Sequence, residues 1–160
     1  MLYLVHHGDA VGPEIDPMRP LSDLGRQHVD TIARQAAAHR VKPSLIWHSG
    51  KLRARQTAEA FWRRCNPLAE CSAARGLQSA DPPEWMRETL IEMGIEIGLS
   101  GEDRELLIVG HFPNLPRLLG LLLGCAPESA EADFPVHGLV ALEHDGERWI
   151  EHWRIGEPGK

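Results

Sequence analysis

Cysteine is scarce. Cys65, Cys71 and Cys125 are an odd, widely spaced set in 160 residues, with no C-x-x-C pair. Neither a disulfide framework nor a cysteine zinc site is indicated, and a reducing compartment is expected. Positive charge is also short, with 17 Lys and Arg against 23 Asp and Glu, a net charge of −6. The chain lacks the cationic excess of proteins that coat nucleic acid, so no nucleic-acid partner is expected. Long apolar runs are missing: residues 118–123, the longest, are interrupted by Gly120 and far too short for a bilayer. No membrane partner is expected. The first residues carry no basic segment and no small-residue cleavage site, so no signal peptide is read and a cytoplasmic location is expected. Histidines at H-x-H or H-E-x-x-H spacing are absent, which disfavours a metal hydrolase built on His6, His7 and Asp9. With no repeats, low-complexity tracts or internal boundary, residues 1–160 read as one domain, long enough for a real core.

What is present begins at residue 2. Leu2, Tyr3, Leu4 and Val5 are followed at once by His6, His7, Gly8 and Asp9. An unbroken apolar run reads as a strand buried on both faces. Gly8 is expected to let the chain turn sharply by adopting angles closed to other residues. The histidines then lie at the carboxyl end of a buried strand, where open α/β sheets bind ligands. The same grammar returns at Leu106, Leu107, Ile108 and Val109, followed by Gly110 and His111. Two strand-end histidines can face one crevice.

Between them the chain alternates. Residues 11–20 read as a loop above the sheet edge. Ser22 or Asp23 caps a helix beginning near Leu24 and running to about Arg40. Leu45 to His48 form a second strand. Ser49 is expected to cap the next helix, which ends near Arg64 and sets Lys51, Arg53 and Arg55 in its first turns. Three cations on the positive end of a helix dipole misfit the helix, and a bound anion resolves the misfit. A short strand is possible near residues 70–72. Pro82 and Pro83 open a helix over 84–98, and Asn114 is expected to cap another. Residues 125–133 read as an acidic loop, and 139–143 with 148–154 as an antiparallel hairpin. The expected class is α/β: a three-layer sandwich with a mostly parallel sheet and a C-terminal antiparallel hairpin.

His7, Arg53 and His111 follow three different strands at one predicted edge. A neutral imidazole can attack phosphorus, guanidinium and helix N–H groups can neutralise the transferring oxygens, and a second histidine can donate to one of them. Such a pocket needs no metal and no cofactor.

These residues resemble a known family. His6-His7-Gly8-Asp9, Arg19-Pro20-Leu21-Ser22, Ser49-Gly50-Lys51-Leu52-Arg53-Ala54-Arg55-Gln56-Thr57 and Gly110-His111 are similar to the motifs of the histidine phosphatase superfamily. Within it they look like the short phosphohistidine phosphatase (SixA-like) branch. The resemblance covers most of the chain in order, and the R-A-x-Q-T segment is its most specific piece. It implies a phosphoglycerate mutase-like sandwich and a nucleophile at His7. It also implies a phosphate grip at Arg53, a second pocket histidine at His111 and Arg19 nearby, with His6, Gly8 and Ser49 lining the phosphate site. The implied activity is a metal-independent phosphatase acting through a phosphohistidine intermediate. Its substrate would be phosphohistidine in a signalling protein, or a small phosphate compound.

Two positions depart from the pattern. The family's R-H-G arginine is His6 here, and its S-P is Ser49-Gly50. Imidazole has an ordinary pKa of about 6.5, so His6 is expected to be partly charged at neutral pH, giving a weakened phosphatase that favours mild acidity, with Arg19 or Arg55 partly substituting. The alternative is a phosphate- or phosphohistidine-binding pseudo-phosphatase. The proton donor has no motif, and Glu84 and Asp9 are the candidates. A weak acid suits a phosphoramidate, whose leaving imidazole needs a proton less than an alkoxide does. His137, just before the hairpin, can reach the sheet edge but reads first as structural; His28, His39, His48, His144 and His152 read as surface or core histidines.

Overall fold

The computed structural model describes residues 1–94, 104–126 and 133–156. Six strands alternate with four helices: β1 (Leu2–His6), α1 (Asp23–Ala38), β2 (Leu45–His48), α2 (Leu52–Cys65), β3 (Glu70–Ala73), α3 (Pro83–Glu92), β4 (Leu106–Gly110), α4 (Asn114–Leu123), β5 (Leu139–His144) and β6 (Trp149–Ile155). They build one sheet in the order β3-β2-β4-β1-β5-β6. The β3, β2, β4 and β1 strands run parallel, while β5 is antiparallel to β1 and pairs with β6 in the hairpin.

Alternation along the strands divides the core in two. Tyr3, Val5, Ile46, Leu107 and Val109 pack on one face with Val29, Ile32 and Ala33 of α1 and Ala54, Ala58 and Phe61 of α2. Leu2, Leu4, Leu106 and Ile108 pack on the other with Met86 and Leu90 of α3 and Leu115, Leu118 and Leu119 of α4. Helices on both faces of a mostly parallel sheet make the three-layer sandwich, and explain why β1 and β4 are apolar throughout. The central register pairs His6 with Gly110 and His48 with Val109. Thus His7, Ser49 and His111 all leave the sheet at one level.

Several local expectations change. Ser49 does not cap α2: Lys51 holds that position, and no side chain closes the first turn. Asn114 is the first residue of α4 rather than its cap, which is Pro113; its side chain is buried and donates through Nδ2 to the Asp81 carbonyl. On α3, Met86 is buried, while Trp85 is partly exposed and carries Arg75 over its ring. Of the expected 84–98 helix, positions 95–98 lie outside the described residues, as do 127–132 of the acidic loop. Gly8 lies outside the left-handed region. Its need for glycine is steric, since a Cβ there would run into Val29 and come within 3.2 Å of the Leu21 side chain. A Cβ on Gly25 would likewise run into the Asp9 carbonyl. The two glycines let the loop after β1 lie directly on α1. Among the described residues no helix is long and apolar enough to cross a membrane.

Candidate active site

The R-A-x-Q-T segment works first as a clamp. Thr57, fully buried on α2, accepts from the Gly8 N–H at 3.0 Å and donates to the Arg53 carbonyl at 2.8 Å. Gln56 accepts from the Leu21 N–H at 2.8 Å. One helix turn therefore holds the loop after β1 and the end of the 11–20 loop against Arg53. Both belong to the most specific motif of the sequence, yet neither was singled out as a site residue, because the motif does not say what the two side chains hold.

Hydrogen-bond partners assign each histidine its role. The Nδ1 of His7 lies 2.7 Å from its neighbour's carbonyl at Gly8. That nitrogen must be the donor, which leaves Nε2 with a lone pair. His111 is buried, and its Nε2 lies 2.6 Å from the Ser49 hydroxyl, which also accepts from the Lys51 N–H at 3.3 Å. Among the described residues His111 Nε2 is the one acceptor within reach of the hydroxyl hydrogen, which assigns that hydrogen to it and leaves the His111 hydrogen on Nδ1. That Nδ1 is buried without a protein partner among the described residues, as is Nε of Arg53. Buried donors left without a partner are rare and costly, and two beside a nucleophilic imidazole suit the oxygens of an anion.

His6 adopts the opposite tautomer from His7. Its Nδ1 accepts from the His137 backbone N–H at 2.8 Å, so Nε2 is its donor. The ring is stacked against Phe112 at 4.0 Å and against His137 at 4.9 Å, nearly parallel to both. His137, read in sequence as structural, belongs to the site. Its Nδ1 lies 2.6 Å from the His7 carbonyl and is therefore the donor there. No motif marked it; it stands alone at a left-handed turn position, φ 55°, before β5.

Burial keeps these rings neutral. Loss of water pushes His6 down to about 2, His111 to about 3 and His7 to about 4, and neighbouring cationic groups act in the same direction. The expected partial charge on His6 is thereby overturned, and with it the reason to expect a preference for mild acidity. The fixed positive charge comes from guanidinium groups. Arg53 is itself held below its usual range, first by burial and then by the charge of Arg19. Arg19 sits at φ 48° with Nε on the Val11 carbonyl at 3.0 Å, and its charge weighs on both His7 and His111. Arg55 is not a substitute: it is exposed and pairs with Glu59 at 3.6 Å.

The two acid candidates are not brought to the histidines. Asp9 is exposed and accepts from the Ser22 hydroxyl at 2.7 Å, beside the α1 cap. Glu84 is exposed in the first turn of α3. Among the described residues, the cluster able to hold a metal ion is His6, His7 and His137, with one nitrogen of each within 4.8 Å of the others. Asp9 is not in it. The tautomers fit such an ion poorly, because two rings keep an Nε2 lone pair while His6 presents a hydrogen there.

No family model and no curated protein matches the sequence. Solved structures do. The protein histidine phosphatase SixA complexed with tungstate superposes with a TM-score of 0.78 at 22% identity, over 97% of this chain and 96% of that one. A mycobacterial glucosyl-3-phosphoglycerate phosphatase gives 0.68 at 17% identity, over 94% and 95%. Phosphoglycerate mutase from Plasmodium falciparum gives 0.66 at 17%, over 95% and 87%. The sheet order, the paired helical layers and the strand-end histidines thus belong to a chain with the histidine phosphatase, phosphoglycerate mutase-like fold.

Proposed function

We propose that this chain is a metal-independent phosphatase, the whole of residues 1–160 acting as one domain, and that it works through a phosphohistidine formed at His7. The observation that carries this reading is the unpartnered pair, Arg53 Nε and His111 Nδ1, beside an imidazole whose Nε2 lone pair is free. In the first step His7 Nε2 forms a bond to phosphorus. The bond to the leaving group breaks with its electron pair going to that group. Arg53 and His111 donate to the phosphoryl oxygens, which gain charge as the bond breaks. In the second step water attacks phosphorus and the P–N electron pair returns to His7. Gly8 permits the close approach of the loop to α1, Ser49 holds His111 in its donor tautomer, and His6 and Arg19 complete the phosphate site.

Phosphohistidine in a signalling protein is the substrate favoured over a small phosphate ester, because among the described residues neither carboxylate candidate is brought to His7 to protonate an alkoxide. The three free, half-buried cysteines agree with a reducing, cytoplasmic location. A second reading is a phosphate-binding module without turnover. Neutral His6 in place of the family arginine favours it, since loss of a charged hydrogen bond costs about 1.5–3 kcal/mol.

The experiment is phosphate release from a phosphohistidine-bearing protein with chelator present, wild type beside His7→Ala, with acid-quenched trapping of labelled protein. Release and label that both vanish in the variant support the phosphatase. Binding of phosphate with neither release nor label in wild type supports the module.

A further inference from the structure

We propose that His137 is a further catalytic residue, the group that carries the proton to and from the reacting oxygen or nitrogen at His7. The inference rests on the reading of His7 as nucleophile and supplies the acid which that reading lacks.

Few groups near His7 can release a proton. His6 and His111 both present a hydrogen to the site, but each is a neutral imidazole, and giving it up would leave an imidazolate. They can donate hydrogen bonds and cannot act as acids. His7 keeps its Nδ1 hydrogen on the Gly8 carbonyl and needs its other nitrogen for phosphorus. Arginine does not deprotonate. Asp9 is tied to Ser22, and Glu84 lies exposed on α3. His137 is different in each respect. Its Nδ1 hydrogen is committed to the His7 carbonyl, so Nε2 has the lone pair and can take and return a proton without disturbing that bond. Among the described residues nothing bonds to this Nε2, and the ring is half-exposed, open to exchange with water. It lies 6.0 Å centre to centre from His7 and 4.9 Å from His6. A nitrogen of each of the three rings falls within 4.8 Å of the others. His137 therefore stands beside His7, next to any group bonded to it.

The step balances. Protonated His137 gives its Nε2 hydrogen to the leaving atom as that atom's bond to phosphorus breaks. Neutral His137 then accepts a proton from the water that attacks phosphohistidine, and the P–N electron pair returns to His7. One residue serves both half-reactions, and the net change is hydrolysis.

The test uses leaving groups. p-Nitrophenolate departs without help, while phenolate needs a proton. Wild type and His137→Asn are compared on p-nitrophenyl phosphate and phenyl phosphate. Asparagine tolerates the left-handed backbone and keeps a side-chain donor near the Nδ1 position for the His7 carbonyl, but it has no titrating nitrogen. We expect the loss on phenyl phosphate to exceed the loss on p-nitrophenyl phosphate by roughly 10²-fold or more, the size of a general-acid contribution. Equal losses on the two substrates, with phosphoenzyme still trapped at His7, would overturn the assignment and leave His137 as a positioning residue. If wild type forms no phosphoenzyme, the nucleophile reading falls and this one with it. His137→Ala checks the carbonyl bond: if alanine lowers both substrates further than asparagine by one common factor, the separation of the Nδ1 and Nε2 roles stands; if asparagine and alanine lose phenyl phosphate activity no more than p-nitrophenyl phosphate activity, it fails.

Discussion

The two walls of the candidate site, one of arginines and one of histidines, are built on different principles. On one side, Arg53 at the start of α2, with Arg19 and Lys51 near it, supplies positive charge. On the β1 and β4 side, His6, His7 and His111 are all driven neutral by burial and supply hydrogen-bond geometry instead. The division has a chemical use. Positive imidazoles would repel the guanidiniums, and protonated His7 would have no lone pair for phosphorus. On the proposed function, a neutral histidine wall preserves the nucleophile while the arginine wall holds the anion.

If charge resides on one wall, the largest effect short of the nucleophile itself comes from removing it there. Arg53→Met keeps length and apolar contact but deletes the guanidinium. We expect kcat/KM to fall by about 10²–10³, the scale of one lost oxyanion donor. Thermal stability is expected to hold or rise, because a buried donor without a partner and the repulsion from Arg19 both disappear. Steady-state kinetics beside a melting curve reads both quantities. Activity within a few-fold of wild type would mean that the arginine wall does not carry the anion.

Legibility in the sequence follows the same division. That His7, Arg53 and His111 come together was readable because each follows an apolar strand run at one sheet edge. The sheet, its two helical layers and the hairpin were readable from periodicity. The supporting contacts were not. Ser49 looks like a cap, and only the β2–β4 register shows that it meets His111. Gly8 is a glycine because of Val29 and Leu21, contacts that no local pattern encodes. His137 arrives from 130 positions away to touch the His7 carbonyl, at a left-handed turn with no repeat to mark it. The charge on His6 was misjudged for the same reason, since burial comes from tertiary packing and overrides the ordinary imidazole pKa.

The neutral wall also has a cost that can be measured. The three histidines have folded-state pKa values below the unfolded value of about 6.5, so below that pH the unfolded chain takes up protons the folded one refuses. Stability is therefore fully present above about pH 6.5 and is lost as pH falls toward the folded values of about 4 for His7, 3 for His111 and 2 for His6. One pH unit below 6.5, His6 and His111 together cost roughly 2–3 kcal/mol, and His7, more exposed, adds less. That corresponds to a drop in Tm of roughly 5–10 °C between pH 7 and 5.5. Inorganic phosphate should shrink the drop, because an anion stabilises the protonated rings. The arginine wall contributes nothing to this slope, so a Tm unchanged over the interval would show that the histidines are not held neutral.

The smallest expected effect is the sharpest on the question of the acid. Glu84 was the leading carboxylate in the sequence, being the one glutamate at a helix start in mid-chain. Its place on α3 is exposed, and what weighs on His7 is burial, then the Gly8 carbonyl, then Arg53, His137 and Arg19, with no carboxylate among them. Glu84→Gln removes the charge and keeps the shape. If no carboxylate serves the nucleophile, kcat on phenyl phosphate stays within about two-fold of wild type, and melting shifts by no more than the roughly 0.5 kcal/mol of an ordinary surface substitution. A selective fall on phenyl phosphate relative to p-nitrophenyl phosphate would instead bring α3 into the site during turnover. The proton would then come from that helix, and the neutral wall would be only half of the catalytic apparatus.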